Sequence, residues 1–253
     1  MAAKAPRPTG LPLVDGLTQL ARPTVSDFVA AASEYVVACE TIGPLMLPDG
    51  GILKPGQRKK AGQIRLSAGL GRALCADLEE ALPRIHATSG EIRVSGALRV
   101  SQFDVVEMTM LDGLKLAIEL KPINLAVGRA LWNRFGDLRV GAVSTHLKYP
   151  YAVCGGVLTI PTWESTPAGR KSTRHLIERV SEALRRAGGR RREDDAPHRH
   201  EAVAVVAFDP DTASIVPDLP TPGDGLRWDE AVAALADAYD ERFPPDLPPP
   251  PSE

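Results

Sequence analysis

The sequence is poor in cysteine: Cys39, Cys75 and Cys154 are the only three in 253 residues, and they lie far apart. An odd, scattered set builds neither a disulfide framework nor a CxxC metal site, and it points to a reducing compartment. No apolar run approaches membrane-spanning length, and the opening MAAKAPRPTG lacks the apolar block of a signal peptide. A soluble, cytoplasmic protein is the expectation. Gly-x-Ser-x-Gly, Walker and dinucleotide fingerprints are all missing. His198 and His200 have no cysteine or further histidine at a zinc-ligand spacing, and Ser144 and His146 sit too close together to suggest a triad.

What is present is a chain that is 43% hydrophobic, enough for one large core or two small ones. Its net charge of −2 hides an asymmetry. The first 120 residues balance at 13 basic against 13 acidic side chains; Lys121 to Arg190 carries 12 against 4, and Arg191 to Glu253 carries 5 against 15. A basic middle suits a polyanion partner, and it equally suits a solvated basic face answered by an acidic tail.

Residues 1–22 are punctuated by Pro and Gly and read as a loose N-terminus. Residues 23–243 read as one domain, with a helical subregion over 23–68, a core over 69–160 and a helix–strand–helix part over 161–243. Residues 244–253 form a disordered Pro-rich tail. Thr24 with Asp27 predicts a capped helix, with Phe28, Ala31, Ala32, Tyr35, Val36 and Cys39 at helical spacing and Gly43-Pro44 as its end. Leu47 to Lys60 reads as a loop with a basic end (Lys54, Arg58, Lys59, Lys60), and Leu70 to Ile85 as a second helix. Glu91 to Met108 is extended, with a break at Ser95-Gly96. Lys115 to Lys121 is a returning strand, and Asn124 is placed to cap a helix ending near Arg134 or Phe135. Tyr151–Ile160 and Glu201–Phe208 are buried strands around an amphipathic helix containing Leu176 to Leu184. Gly188 to His200 reads as a solvated loop or disordered insert, with Arg190, Arg191 and Arg192 neutralised by Glu193, Asp194 and Asp195. Trp228 to Phe243 is the last helix. This order predicts an α/β or α+β fold, a sheet covered by helices, with an N-terminal helical segment.

The informative stretch is FDVVEMTMLDGLKLAIELKPIN, Phe103 to Asn124, where isolated charges interrupt apolar strands. A buried charge is costly unless it is paired or binds a metal. Folding about a two-residue Asp112-Gly113 turn sets Asp104 opposite Lys121 and Val106 opposite Glu119. Asp104, Glu119 and Lys121 then share one face, while Glu107 falls on the other. Two carboxylates and a lysine suit metal-assisted phosphodiester cleavage: Mg²⁺ takes oxygen ligands and lowers the pKa of a bound water, and Lys121 would orient that water. The Leu120 carbonyl is a further candidate ligand. The same three side chains would also serve as a cross-strand ion-pair ladder on a wet sheet face.

This pattern resembles the PD-(D/E)xK nuclease superfamily, which includes many type II restriction endonucleases. There a metal-binding Asp lies on one strand of a hairpin and Glu-x-Lys ends the next. A helix and another strand follow, as INLAVGRALWNRFGDL and YAVCGGVLTI do here. Glu119-Leu120-Lys121 is the chain's one acidic-x-Lys tripeptide. The likeness spans roughly residues 69–160, and Phe103 stands where the name-giving Pro would be. It implies a restriction-endonuclease-like mixed sheet flanked by helices. It also implies a Mg²⁺-dependent cut in double-stranded DNA, a homodimer, and a cognate DNA methyltransferase as genetic partner. An added acidic residue from the preceding helix, Glu79 or Glu80, belongs to the same expectation, and Glu80 is taken as the candidate. The Gln-x-x-x-Tyr element of RecB-type exonucleases is missing. Arg129, Asn133, Arg134, Arg139, His146 and Lys148 are candidate DNA contacts, since Arg and Asn grip phosphates and read base edges. A non-catalytic nucleic-acid-binding module and a repair or mobile-element nuclease are the alternatives.

Overall fold

The computed structural model describes residues 24–41, 45–46, 52–53, 55–166 and 168–245. The expectations for residues 1–22, for Gly43-Pro44, for Lys54 and for most of the Pro-rich tail lie outside this set. The elements, in chain order, are α1 (Val25–Thr41), β1 (Leu45–Met46), β2 (Ile52–Leu53), α2 (Pro55–Ala81), β3 (Thr88–Ser95), β4 (Val100–Thr109), β5 (Gly113–Pro122), α3 (Val127–His146), β6 (Val153–Pro161), β7 (Trp163–Thr166), β8 (Gly169–Ser172), α4 (Arg174–Ala187), β9 (Ala202–Asp209), β10 (Ser214–Ile215) and α5 (Trp228–Arg242).

The central sheet has six strands in the order β10-β9-β6-β5-β4-β3. β3, β4 and β5 form an antiparallel meander, whereas β5, β6 and β9 run parallel. Each parallel connection needs a crossover, and α3 and α4 supply them. Strands buried on both faces read as continuous apolar runs, and β6 (VCGGVLTIP) and β9 (AVAVVAFD) do so. One apolar layer joins Leu116, Ile118 and Leu120 of β5 to α1, α2 and α5. On the other face, α3 and α4 cover Leu158 and Ile160 of β6 and Val203 and Val205 of β9.

Local sequence explains the helices that flank the site. Asp27 N–H donates to Thr24 Oγ1 at 3.2 Å and Thr24 N–H to Asp27 Oδ2 at 2.9 Å, a reciprocal cap that starts α1. Leu66, Leu70, Leu74 and Leu78 recur every four residues along α2 and are all buried. Gly62 lets α2 approach α1: a Cβ there would lie 2.4 Å from the Tyr35 ring.

Several expectations are corrected. α2 begins at Pro55, so the run Gln57–Lys60 is helical rather than a loop, and the helix ends at Ala81 rather than Ile85. Proline suits the first helical position, and Gln, Arg and Lys are good helix formers without apolar periodicity. α3 starts at Val127 and continues to His146. Asn124 does not cap it; Glu164 Oε2 of β7 accepts from Val127 N–H at 2.6 Å. Residues 188–200 are ordered: Asp195 Oδ2 accepts from the N–H groups of Arg191 and Arg192 at 2.9 and 3.0 Å. Arg190 is 1% exposed and pairs with Glu201 rather than with its acidic neighbours.

Candidate active site

The β4–β5 hairpin turns on three residues rather than two. Thr109 pairs with Gly113, so Met110, Leu111 and Asp112 form the turn. Gly113 takes the left-handed conformation, φ 70°. A bulge at Lys115 follows, after which Glu107 faces Leu116, Val106 faces Ala117 and Val105 faces Ile118. Asp104 is therefore not opposite Lys121, nor Val106 opposite Glu119. The register has moved by two residues, so each strand keeps its faces and Asp104 comes level with Glu119.

Pairing between β4 and β5 stops at Val105 and Ile118. Beyond it, β4 stays paired to β3 as far as Val100, and β5 stays paired to β6 as far as Pro122. The sheet forks there, and Asp104 and Glu119 occupy the first position on each arm. The freed N–H of Leu120 donates to Asp104 Oδ2 at 2.7 Å, and Ser67 Oγ of α2 donates to Asp104 Oδ1 at 3.2 Å.

The three side chains do not share one sheet face. Phe103 and Val106 both join the apolar group of Ala117, while Val105 joins the α2 layer, so alternation breaks beside Asp104. A register shift in β3 between Ser89 and Ile92 accompanies the break. It turns the Asp104 carboxylate toward α2. Glu119 points the other way, to α3, where its Oε2 would lie 3.1 Å from a Cβ on Gly141. Lys121 links the two: it forms an ion pair with Glu119 and lines the cavities on both sides of the fork.

One cavity, about 250 Å³, is bounded by Lys60, Gln63 and Ser67 of α2, Glu91 of β3, Asp104, Lys121 and Arg134. The other, about 420 Å³, is bounded by Arg93, Arg99, Ser101, Gln102, Glu119, Lys121 and Asp137. Burial pushes the Asp104 carboxyl up, against the opposing pull of the Leu120 N–H and Lys121. Burial pushes Glu119 up as well; Lys121 pulls it down and Asp104 adds to the rise. Lys121 lies between two desolvated carboxylates that face opposite sides of the seam, and carboxylate oxygens are the donors that Mg²⁺ takes. Leu120 is 2% exposed, with its side chain in the α2 layer.

Other candidate residues sit elsewhere. Glu79 and Glu80 are exposed near the end of α2 and line neither cavity. The acidic side chain beside Asp104 is Glu91, which sequence reading passed over because it stands in an ordinary polar strand. Arg129, Asn133, Arg134 and Arg139 are exposed on α3; Arg134 pairs with Asp137 at 3.1 Å, and the Arg139 guanidinium lies 5.9 Å from the Phe135 ring centre. Lys148 is exposed, and its Nζ donates to the Ser95 carbonyl at 2.8 Å. His146 is corrected: it belongs to α3, not a loop, and at 3% exposure it is sealed from any DNA.

His146 instead joins a buried charge cluster. Its Nε2, Cys154 and a Glu201 carboxylate oxygen offer ligand atoms within 4.8 Å of one another, a spacing that could hold a metal ion. Glu201 is already fully engaged. Its Oε1 pairs with Arg190 at 2.8 Å and Arg242 at 2.7 Å. Its Oε2 accepts from Cys154 N–H at 2.6 Å and faces His146 Nε2 at 3.3 Å. A divalent ion there would stand against two guanidiniums, so the arrangement is more self-consistent as an ion cluster. Burial lowers the His146 pKa, but Cys154 and Glu201 outweigh it and carry it up to about 10. Burial and the neighbouring His146 hold His200 down at about 4.

Among the described residues, no helix is long and apolar enough to cross a membrane. No family model, curated protein or solved structure matches the chain.

Proposed function

We propose that this chain is a Mg²⁺-dependent DNA endonuclease of the restriction type, acting on double-stranded DNA as a homodimer beside a cognate methyltransferase. The observation that carries the reading is the fork, which brings the backbones of Asp104, Glu119 and Lys121 side by side where β4 and β5 part, with Lys121 bordering the cavities of both carboxylates. The element order supports it: a helix, three antiparallel strands, a helix and a parallel strand (α2-β3-β4-β5-α3-β6) follow one another in the sequence that the likeness implies.

Asp104 and Glu119 face opposite sides of the seam, so to hold one ion the Glu119 side chain would leave Lys121 and turn through the gap between the arms toward Asp104. A bound Mg²⁺ supplies a water of lowered pKa and polarises the phosphate. Ser67 and the Leu120 N–H fix the Asp104 carboxylate. The Lys121 ammonium, released from Glu119, orients the water and stabilises charge developing on the phosphate oxygens.

A second reading, a non-catalytic nucleic-acid-binding module, rests on the Lys121–Glu119 ion pair, which satisfies both groups without a metal. Incubation of supercoiled plasmid with and without Mg²⁺ separates the two. Cleavage that needs Mg²⁺ and disappears in Glu119→Gln and Lys121→Ala supports the nuclease. A salt-sensitive gel shift with no cleavage in the wild type supports the binding module.

A further inference from the structure

The cavity on the Glu119 side of the fork holds more positive charge than its own acids use. Glu119 is answered by Lys121, and Asp137 by Arg134 at 3.1 Å. Arg93 and Arg99 also line it, and among the described residues neither guanidinium has a hydrogen bond, ion pair or ring contact. Ser101, 7% exposed, borders the same space, and its hydroxyl is buried without a partner. A buried hydroxyl left unpaired is costly, so a ligand oxygen that engages it is favoured.

The position of Arg99 is fixed from outside the cavity. Ser144 Oγ of α3 accepts from the N–H groups of Leu98 and Arg99, both at 3.2 Å, and donates to the Arg99 carbonyl at 3.2 Å. Ala97 N–H donates to the Ser144 carbonyl at 2.7 Å. The β3–β4 turn is thereby tied to the helix that also faces Glu119, so the arginine backbone and the proposed metal-binding carboxylate share one rigid support. Arg93 lies on β3 and pairs through its backbone with Gln102, a third polar residue lining the cavity.

We propose that Arg93, Arg99 and Ser101 form a phosphate subsite that takes a DNA phosphodiester next to the one cut at the fork; the neighbouring cut, though not the subsite itself, rests on the nuclease reading. Guanidiniums give bidentate hydrogen bonds to phosphate oxygens, and the serine hydroxyl donates a third. The cavity of about 420 Å³ has room for one phosphate with its flanking sugars.

The test is fluorescence anisotropy of a labelled 20-base-pair duplex, without divalent cation, across a salt series. Inorganic phosphate is the competitor. Wild type, Arg93→Gln/Arg99→Gln, Ser101→Ala and Glu119→Gln are compared, with thermal melts to confirm folding. The double variant is expected to bind at least about tenfold more weakly, with a log–log salt slope shallower by about 2. Ser101→Ala is expected to weaken binding several-fold; Glu119→Gln serves only in the cleavage comparison. Inorganic phosphate is expected to compete with the duplex on the wild type and to lose that effect on the double variant. If phosphate competes but the duplex does not depend on the arginines, the site serves free phosphate and the DNA assignment fails. Unchanged affinity and slope in a folded double variant would overturn the proposal, as would a wild type that binds neither probe. Plasmid cleavage abolished by Glu119→Gln, with duplex affinity indifferent to both arginines, would leave the nuclease and remove the subsite. Arginine-dependent binding without cleavage would do the reverse.

Discussion

Asp104 Oδ2 accepts a hydrogen bond from the backbone N–H of Leu120 at 2.7 Å, across the point where β4 and β5 cease to pair. The side chain thus replaces a ladder bond that the second strand has lost. It also fixes the carboxylate one residue from both Glu119 and Lys121.

Removing the charge from either carboxylate should stabilise the protein while abolishing cleavage. Both folded-state pKa values are raised, so ionisation costs stability as pH rises above the unfolded value, about 4. Asp104→Asn and Glu119→Gln are expected to gain on the order of 1 kcal/mol at pH 7, about 2–4 °C in Tm, with no gain near pH 3. Melting curves at the two pH values check this. A variant less stable than wild type at pH 7 contradicts it.

Divalent-ion affinity should fail on mild acidification. Because burial raises both carboxyls, protons compete with the ion at a pH above the ordinary carboxylate range. Calorimetric titration with Mg²⁺ or Mn²⁺ over pH 5–8 is expected to show affinity rising with pH. Pre-protonation also predicts proton release on binding, visible as a buffer-dependent heat.

Ser67→Ala should loosen the Asp104 carboxylate without unfolding α2. Its 3.2 Å hydrogen bond is to an ionised group, and such bonds contribute about 1.5–3 kcal/mol. Metal affinity is expected to drop roughly tenfold or more, with the melting temperature lower by several degrees and the fold retained. Ser67→Thr, which keeps the hydroxyl, should restore much of it.

Glu201→Gln should be severely destabilising, by about 3–5 kcal/mol in urea unfolding, since it strands Arg190 and Arg242 in the core. Its neighbours hold the Glu201 pKa at about 2 against burial, which alone would raise it. Its contribution is therefore full above the unfolded value of about 4.3 and is lost as pH falls through 2. A variant that matches wild type at pH 7 would sink this account.

The two buried strands and the helix between them were legible because β6 and β9 are largely apolar runs and α4 carries clear apolar periodicity. The candidate residues at the fork could be named from the sequence, but their geometry could not. Asp112-Gly113 suggested a two-residue turn, whereas Met110 and Leu111, both almost fully exposed, belong to the turn as well. A three-residue turn alone would have thrown Asp104 and Glu119 onto mismatched positions; the Lys115 bulge restores the parity, and nothing in the local sequence announces that bulge. Arg99 was passed over because its backbone is placed by Ser144, distant in sequence. His146, read as a surface contact, is buried because α3 runs about three turns beyond its apparent end, through Gly136 and Gly141. Gly141 breaks the helical reading for a reason seen only in three dimensions: Glu119 occupies the space its side chain would fill.

Each arm of the fork is anchored on its far side alone, β4 by β3 and β5 by β6. The angle between the arms can therefore change without breaking an inter-strand bond in either half, and the main local tether across the seam is one carboxylate on one amide. A sheet that is stiff elsewhere has a seam of low resistance where a bulky polymer would enter.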